Sequence, residues 1–519
     1  MDTLETEQES GRTLDHVLTW LAVLLATAWL AWVQFSFTGL YDLDSYFHVR
    51  AAEQLATHGV QKTFPQAVHS TWADAYSDKD FLFHVLLRPF IAGGDFRLGG
   101  KWYVVFLDFL VLAAFACALR ALGVRFGALW VLLLIAASPY YVTRLSSVRP
   151  HILGLAFVTL EVALLAKDRW KTLFVVSALH VLAHSSFLLL PALLAARIVV
   201  ALVHREGFPL RTTLGVLAGI VVASLAHPYF PNNLTVAEQI VDIVRTVGGS
   251  GAAIPPEAFG SELRPASWQS LLAQFPGWAP AIVGLVALFA VRGRAAWDRT
   301  LTYLALLGVG ALVLALRSRR FVDVLVVAAL LLAGALWTRV AGREPLPRLL
   351  RARPAVAWPL TVLACGFVAF SLLRVQEVRD NFARQAYGDV YAPAMAALTQ
   401  LAAPDELVYH VSWMDFAVLY AFRPNGRYVS GLDPIFLYQK DPQLFAKNLA
   451  LSRGRARDAA RIIGEDFGGR WVFVTHQPRD AAFRQLLARS AGVRLLYDDG
   501  FAQIWQVGEQ PRPLPAPPA

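Results

Sequence analysis

The sequence predicts a polytopic α-helical membrane protein, with about eleven to thirteen transmembrane helices, followed by a C-terminal soluble α/β domain. Three observations predict it. Of 519 residues, 56% are hydrophobic and 16% charged, whereas soluble domains carry roughly 25% charged residues. The apolar residues gather in runs suited to a bilayer, which takes roughly 20 residues of helix. From about residue 377 those runs give way to short strand and helix patterns. The formal charge of +9 sits in short basic clusters between apolar runs. That distribution marks cytoplasmic loops and not a nucleic-acid footprint, so no nucleic-acid partner is expected.

The N-terminus, Met1 to His16, is polar and acidic and lacks the basic region and cleavage site of a signal peptide. The first apolar run is therefore expected to stay as an anchor. Candidate spans are 15–37, 101–120, 126–143, 151–167, 171–186, 187–204, 212–226, 279–293, 300–317, 321–339 and 355–374. The apolar run 171–204 is divided at Ala183–Ser186, because one span of that length would overshoot the membrane. Phe81–Ile91 is too short to cross and contains Arg88, so it reads as a re-entrant or interfacial helix. With these spans, the loops Arg120–Arg125, Lys167–Lys171, His204–Arg211, Arg292–Arg299 and Arg339–Arg353 share one side, expected to be cytoplasmic. The opposite, external side receives 38–100, 144–150, 227–278, the corner Arg317–Arg320 and the C-terminal region. Cys117 and Cys365 fall inside apolar runs and read as small core residues, with no disulfide and no cysteine metal site.

In the C-terminal region Glu406–Ser412 reads as a strand, Arg457–Phe467 as an amphipathic helix and Trp471–Thr475 as a buried strand. Helix continues over Arg484–Ala488, and Val493–Tyr497 with Phe501–Val507 forms a terminal hairpin around Asp498–Gly500. The expected organisation is a membrane module over 1–376, an external α/β domain over 377–510 and a proline-rich disordered tail over 511–519.

Four external features carry residues fit for chemistry. Asp42 and Asp44 follow the first span; two apart, they face one way in an extended segment, and their hard oxygens suit Mg²⁺ or Mn²⁺. A helix-end belt of charges is the plain alternative. The long loop 227–278 contains Glu257 and Glu262, either able to swing onto a metal or an acceptor. Arg317, Arg319 and Arg320 sit at an external helix start, against the positive-inside trend, where guanidinium groups bind phosphate or snorkel to headgroups. Trp413 and Asp415 end the first strand of the C-terminal domain, where a carboxylate beside an aromatic wall accepts a hydroxyl or caps a helix. His180 and His184 lie four apart on an apolar helix, more commonly a packed pair than a metal site, whereas His151 is better placed as a ligand. Gly431–Pro434 shows no derivable role.

In this order the features resemble the catalytic subunit of oligosaccharyltransferase and the wider GT-C class of membrane glycosyltransferases. Asp44 to Glu53, reading Asp-Ser-Tyr-Phe-His-Val-Arg-Ala-Ala-Glu, is similar to the family's Asp-Pro-Trp-Phe-Asn-Tyr-Arg segment. Ser261 to Trp268 is similar to its S-x-S-E-x-x-P-x-x-W loop, Arg320-Phe321 to its late phosphate-contacting arginine, and Ser412 to Phe416 to its W-W-D-Y-G acceptor motif. The resemblance implies a GT-C-like fold and an inverting glycosyltransferase using a polyprenyl-phosphate or -pyrophosphate donor at the external or periplasmic face of the plasma or inner membrane. It implies Asp44 as metal-binding aspartate, with Asp42 as helper and His151 where the family's second-loop acidic ligand would stand. Glu262 is implied as the flexible-loop glutamate, Arg320 (or Arg319, one residue out of register) as the donor-phosphate contact, and Trp413, Asp415 and Glu262 as acceptor contacts. The implied cofactor is Mg²⁺ or Mn²⁺, and the acceptor a peptide, a glycan or a lipid. A non-catalytic lipid-linked-glycan binder or transporter is the alternative.

Overall fold

A computed structural model describes residues 2–247, 254–255, 259–342, 379–380 and 389–508. The expected span 355–374, the tail 511–519, Glu257 and Cys365 lie outside the described residues. Helix α1 (Asp2–Gln34) opens the chain, and Asp42 then caps α2 (Leu43–His58). The short helix α3 (Phe81–Ile91) precedes α4 (Phe96–Ala121), α5 (Gly127–Ala136) and α6 (Pro139–Leu145). Next come α7 (His151–Ala166), α8 (Trp170–Ala183), α9 (Leu190–Val203) and α10 (Leu210–Leu225). After α11 (Asn232–Val247), α12 (Trp268–Gln274) and α13 (Ala279–Val291), the helices α14 (Arg299–Arg317) and α15 (Val322–Ala341) complete the series. Among the described residues, five stretches are long and apolar enough to cross a membrane: Thr13–Gln34, Phe96–Ala121, Ser185–Val203, Arg299–Arg317 and Arg319–Ala341. The protein is a polytopic helical membrane protein.

Two breaks in the helices shape the site. The expected span 126–143 is not one helix: α5 and α6 meet at 88°. Pro139 cannot continue the helix of α5 because it lacks an N–H, and it disfavours helical geometry at the residue before it. Ser138 is accordingly extended, and its hydroxyl accepts from Tyr141 N at 3.3 Å to start α6. The second break, at Ala183–Ser186, falls where the sequence places it. His184 there is extended, and its ring accepts from Ser186 N at 3.1 Å. The loop 227–278 is more regular than expected, because the Asn232–Val247 stretch after Pro231 contains neither Gly nor Pro and winds into α11.

Packing between helices follows from small residues. Gly215 and Gly219 of α10 sit one turn apart, and a Cβ on them would lie 2.7 Å from Trp170 O and 2.1 Å from Ser177 Oγ of α8. Only hydrogen there lets the two backbones meet, in the small-xxx-small manner of membrane helices. Cys117 is exposed on α4 and free, contrary to its expected core position. At the end of the bundle predicted to be cytoplasmic, the loops are cross-tied. Arg197 donates to Asp168 (2.7 Å) and Glu206 (3.0 Å), and Arg299 reaches Glu206 at 3.0 Å. The carboxylate of Asp15 likewise accepts from the backbone of Phe126 and Gly127 at the start of α5 (3.2 and 3.1 Å), satisfying N–H groups that a helix start leaves open.

The C-terminal region forms a five-stranded sheet from β1 (Leu407–Tyr409), β2 (Arg427–Tyr428), β3 (Gly469–Thr475), β4 (Val493–Asp498) and β5 (Ala502–Val507), ordered β2-β1-β3-β5-β4. β1 runs parallel to β2 and β3, whereas β5 is antiparallel to β3 and β4. The expected helix over 457–467 forms only at Ala459–Arg461 before widening into a π turn over Ile462–Asp466, a run interrupted by Gly464. This region does not build its core alone. Val68 N and His69 N donate to Tyr428 O and Val429 O (2.9 and 2.8 Å), and Tyr428 N donates to Gln66 O at 2.7 Å, so the first loop pairs with β2. Phe47, Phe64, Trp72 and Tyr76 from that loop share one apolar cluster with Phe416, Tyr420 and Phe436.

Candidate active site

The site is assembled by backbone ties that bring three distant segments together. Ser45 Oγ donates to Tyr41 O at 2.6 Å and accepts from Val148 N at 2.9 Å. That tie, with the parallel bridge between Tyr41 and Ser147, sets the 146–150 turn beside the start of α2. Arg149 therefore reaches both aspartates, with Nη1 3.1 Å from Asp42 Oδ2 and Nη2 3.0 Å from Asp44 Oδ2. Asp42 adopts φ 76°, and its other oxygen accepts from Asp44 N at 3.3 Å. With ψ at 138° this backbone lies outside even the left-handed helical well, a costly conformation for a residue with a side chain.

The third segment carries Glu262, in the short helical turn Ser261–Leu263. Ser318 Oγ donates to Glu262 O (3.0 Å) and Arg319 N donates to Arg264 O (3.0 Å), fastening this loop to the corner between α14 and α15. Glu262 then receives three guanidinium groups: Arg149, bidentate at 3.1 and 3.1 Å, Arg144 at 3.0 Å and Arg320 at 2.7 Å. Arg144 also pairs with Asp323 of α15 at 2.5 Å.

Electrostatics separates the carboxylates. Burial pushes Asp44 up to about 7, with Arg149 opposing the shift and the charges of Asp42 and Glu262 adding to it. Burial would raise Glu262 too, but Arg149, Arg320 and Arg144 outweigh it and hold Glu262 well below the usual carboxylate range. The site thus pairs a carboxyl that exchanges its proton near neutrality with one that stays ionised. Arg320 and Lys79 are paired with Glu262 (2.7 Å) and Asp80 (2.8 Å), yet their side chains stay 41% and 39% exposed, which leaves each able to meet a ligand as well.

The structure brings Asp42, Asp44, Glu262 and Arg320 into one cluster. Arg319 turns its guanidinium toward the Tyr140 ring, 5.4 Å from its centroid, which separates the two register alternatives. His151 begins α7 beside this cluster, with Nε2 buried and unpartnered. Trp413 lies against the glutamate loop, its Cη2 3.7 Å from where a Cβ on Gly260 would stand. Asp415 faces inward instead: it is buried on Arg479 at 2.9 Å, and burial raises it to about 7. His180 is a packed histidine on Glu161 (2.9 Å) and Ser186 (2.7 Å).

Sequence reasoning missed Arg144, Arg149, Lys79 and Asp433. Arg149 lies in the external turn 144–150, where nothing in the local sequence sets it apart as a site residue. Lys79 stands in a charged run, Asp78-Lys79-Asp80, directly before an apolar helix, and that contrast was a usable signal. Asp433 had none. It is half-buried, caps the helix Pro434–Lys440 by accepting from Ile435 N at 2.9 Å, and is raised by desolvation to about 6 with the charges of Arg320, Lys79 and Glu262 around it.

No protein-family model matches the chain, and no curated protein matches it by sequence. Solved structures do. The archaeal oligosaccharyltransferase AglB from Archaeoglobus fulgidus, in complex with an inhibitory peptide and a dolichol-phosphate, matches with a TM-score of 0.60 at 12% identity, over 95% of this chain and 75% of that one. ArnT from Cupriavidus metallidurans bound to undecaprenyl phosphate matches with a TM-score of 0.55 at 15% identity, over 94% of this chain and 99% of that one. The chain has the GT-C fold. The mycobacterial arabinofuranosyltransferase AftD also matches, with a TM-score of 0.50 at 16% identity, over 94% of this chain and 41% of that one.

The divalent cation that the GT-C resemblance implies fits the cluster poorly. Among the described residues no three His, Cys, Asp or Glu side chains converge as metal donors. Asp42 Oδ2, Asp44 Oδ2 and both oxygens of Glu262 are taken by Arg149. The unpartnered His151 Nε2 is one donor without a set.

Proposed function

We propose that this GT-C protein is a membrane glycosyltransferase that moves a sugar from a polyprenyl-phosphate or -pyrophosphate carrier to an acceptor at the external membrane face. The observation that carries the reading is the meeting of Asp44, Glu262 and Arg320 from three separate segments in one partly exposed polar site beside the ends of membrane helices. Charged groups clustered beside apolar spans are costly unless they serve a site. Carrier lipids bound to ArnT and AglB, undecaprenyl phosphate and dolichol-phosphate, support the donor class.

The chemistry proposed is a single displacement at the anomeric carbon. The acceptor's hydroxyl or amide forms the new bond to that carbon as its proton passes to the Asp44 carboxylate. The bond from the anomeric carbon to the carrier oxygen breaks, and its electron pair leaves with the phosphate. Arg320 and Lys79 face that phosphate and stabilise the charge that grows on it. Glu262 holds the arginines in place, and its loop, lying under Trp413, covers the acceptor side. Stabilised by fixed dipoles and cations, the leaving group needs no acid.

Purified chain in nanodiscs, supplied with a lipid-linked sugar, should release the carrier phosphate only when an acceptor is present. Binding of the donor without any cleavage, in wild type and Asp44→Ala alike, would identify a binder or transporter instead.

A further inference from the structure

Arg149 occupies the second external loop, where the resemblance places acidic metal ligands. Its Nη1 lies 3.1 Å from Asp42 Oδ2 and 3.1 Å from Glu262 Oε2, and its Nη2 lies 3.0 Å from Asp44 Oδ2 and 3.1 Å from Glu262 Oε1. One guanidinium therefore joins three carboxylates that come from two loops far apart in the chain. The rest of Glu262 is taken as well, by Arg144 on Oε2 at 3.0 Å and Arg320 on Oε1 at 2.7 Å. A divalent ion entering here would compete for the same oxygens against a cation that cannot diffuse away. Arg149 is held by its own backbone, since the preceding Val148 N donates to Ser45 Oγ at 2.9 Å.

We propose that Arg149 does in this chain what a bound divalent cation does when carboxylates gather round it: it cancels their mutual repulsion and holds the Asp44 and Glu262 segments together, so that transfer requires no metal. This rests on the glycosyltransferase reading above. A guanidinium suits the task because it stays protonated at any working pH and its planar fork matches carboxylate and phosphate oxygens alike. It carries one charge where the ion carries two, and Arg320 and Lys79, both partly exposed, make up the difference on the phosphate side. Arg149 gives up no proton, so Asp44 remains the group that receives the acceptor's proton.

The test combines Mn²⁺ titration, followed by electron paramagnetic resonance, with donor cleavage by the full chain in nanodiscs. EDTA should leave the wild-type cleavage rate unchanged, and wild type should leave added Mn²⁺ free. Arg149→Ser, which releases the three carboxylates, should gain a Mn²⁺ site, and adding Asp44→Asn should weaken that site about 10-fold or more, as loss of a supporting group commonly does. Arg149→Lys keeps a charge in place and should remain blind to Mn²⁺, so a failure of Arg149→Ser to fold leaves wild type and the lysine variant to decide. A wild-type Mn²⁺ site that disappears in Asp44→Asn overturns the proposal. So does cleavage that EDTA abolishes and Mn²⁺ restores, or a folded Arg149→Ser that gains no site. Because Mn²⁺ binding is read without turnover, absence of cleavage under every condition would refute the glycosyltransferase reading and leave the binding measurement standing.

Discussion

At the scale of single residues, Asp44 and Glu262 show how neighbours set the duty of a carboxyl. Both are only partly exposed, yet Glu262 faces three arginines and Asp44 shares one. Asp44, raised to about 7 by burial, is mostly protonated in acid and cannot then accept a proton. The acid limb of kcat/KM should therefore rise through about pH 7, and Asp44→Asn should lower kcat by about 10²–10⁴-fold, the usual worth of a positioned base. The sign for stability is opposite. A carboxyl that titrates at 3.8 when unfolded and about 7 when folded favours the fold in its protonated form, so stability falls as pH rises across that window. Asp44→Asn should remove that slope, which chemical unfolding at several pH values would show. The Arg144–Asp323 pair is a case of mutual dependence, with side chains 9% and 6% exposed. Arg144→Met should cost about 3–5 kcal/mol by leaving Asp323 charged and alone, seen as a lower midpoint in thermal unfolding.

At the scale of elements, the placing of Arg149 depends on one hydroxyl. Ser45 accepts from Val148 N, so Ser45→Ala leaves that buried N–H without a partner, at a cost of about 1–3 kcal/mol. Activity should fall more than this loss of stability explains, because the turn that carries Arg149 is released; comparing turnover with the unfolding midpoint separates the two effects. Most helices could be read from the chain because apolar runs and their breaks are local properties: the Ala183–Ser186 division and the terminal hairpin both stand where the sequence pattern puts them. The sharp turn at Ser138–Pro139 was equally local, and the proline was the signal that was overlooked. The carboxylates and Arg320 could also be read, since charge beside an apolar run stands out. Arg149 and Asp433 could not be given roles, because their meaning comes from partners more than a hundred residues away in the chain, joined only by tertiary contacts.

At the scale of the molecule, the soluble region and the first loop fold as one body. Trp72 lies 4.7 Å, centroid to centroid, from Phe436 and packs beside Phe47 and Phe64. Trp72→Ala should cost about 3–5 kcal/mol and loosen both segments together, which hydrogen exchange of the 60–76 and 427–437 peptides would report as a shared loss of protection. The far end of the bundle has its own consequence. Arg197 and Arg299, through Asp168 and Glu206, lash the ends of α7, α8, α9 and α14 to one another. On the proposed function, a carrier lipid with a long polyprenyl tail would reach the site from the side, between helices. Helices lashed at one end can spread only at the other, as a hinge spreads. Any lateral opening between these helices is therefore expected at the site's end of the bundle and not at the end that the two arginines tie.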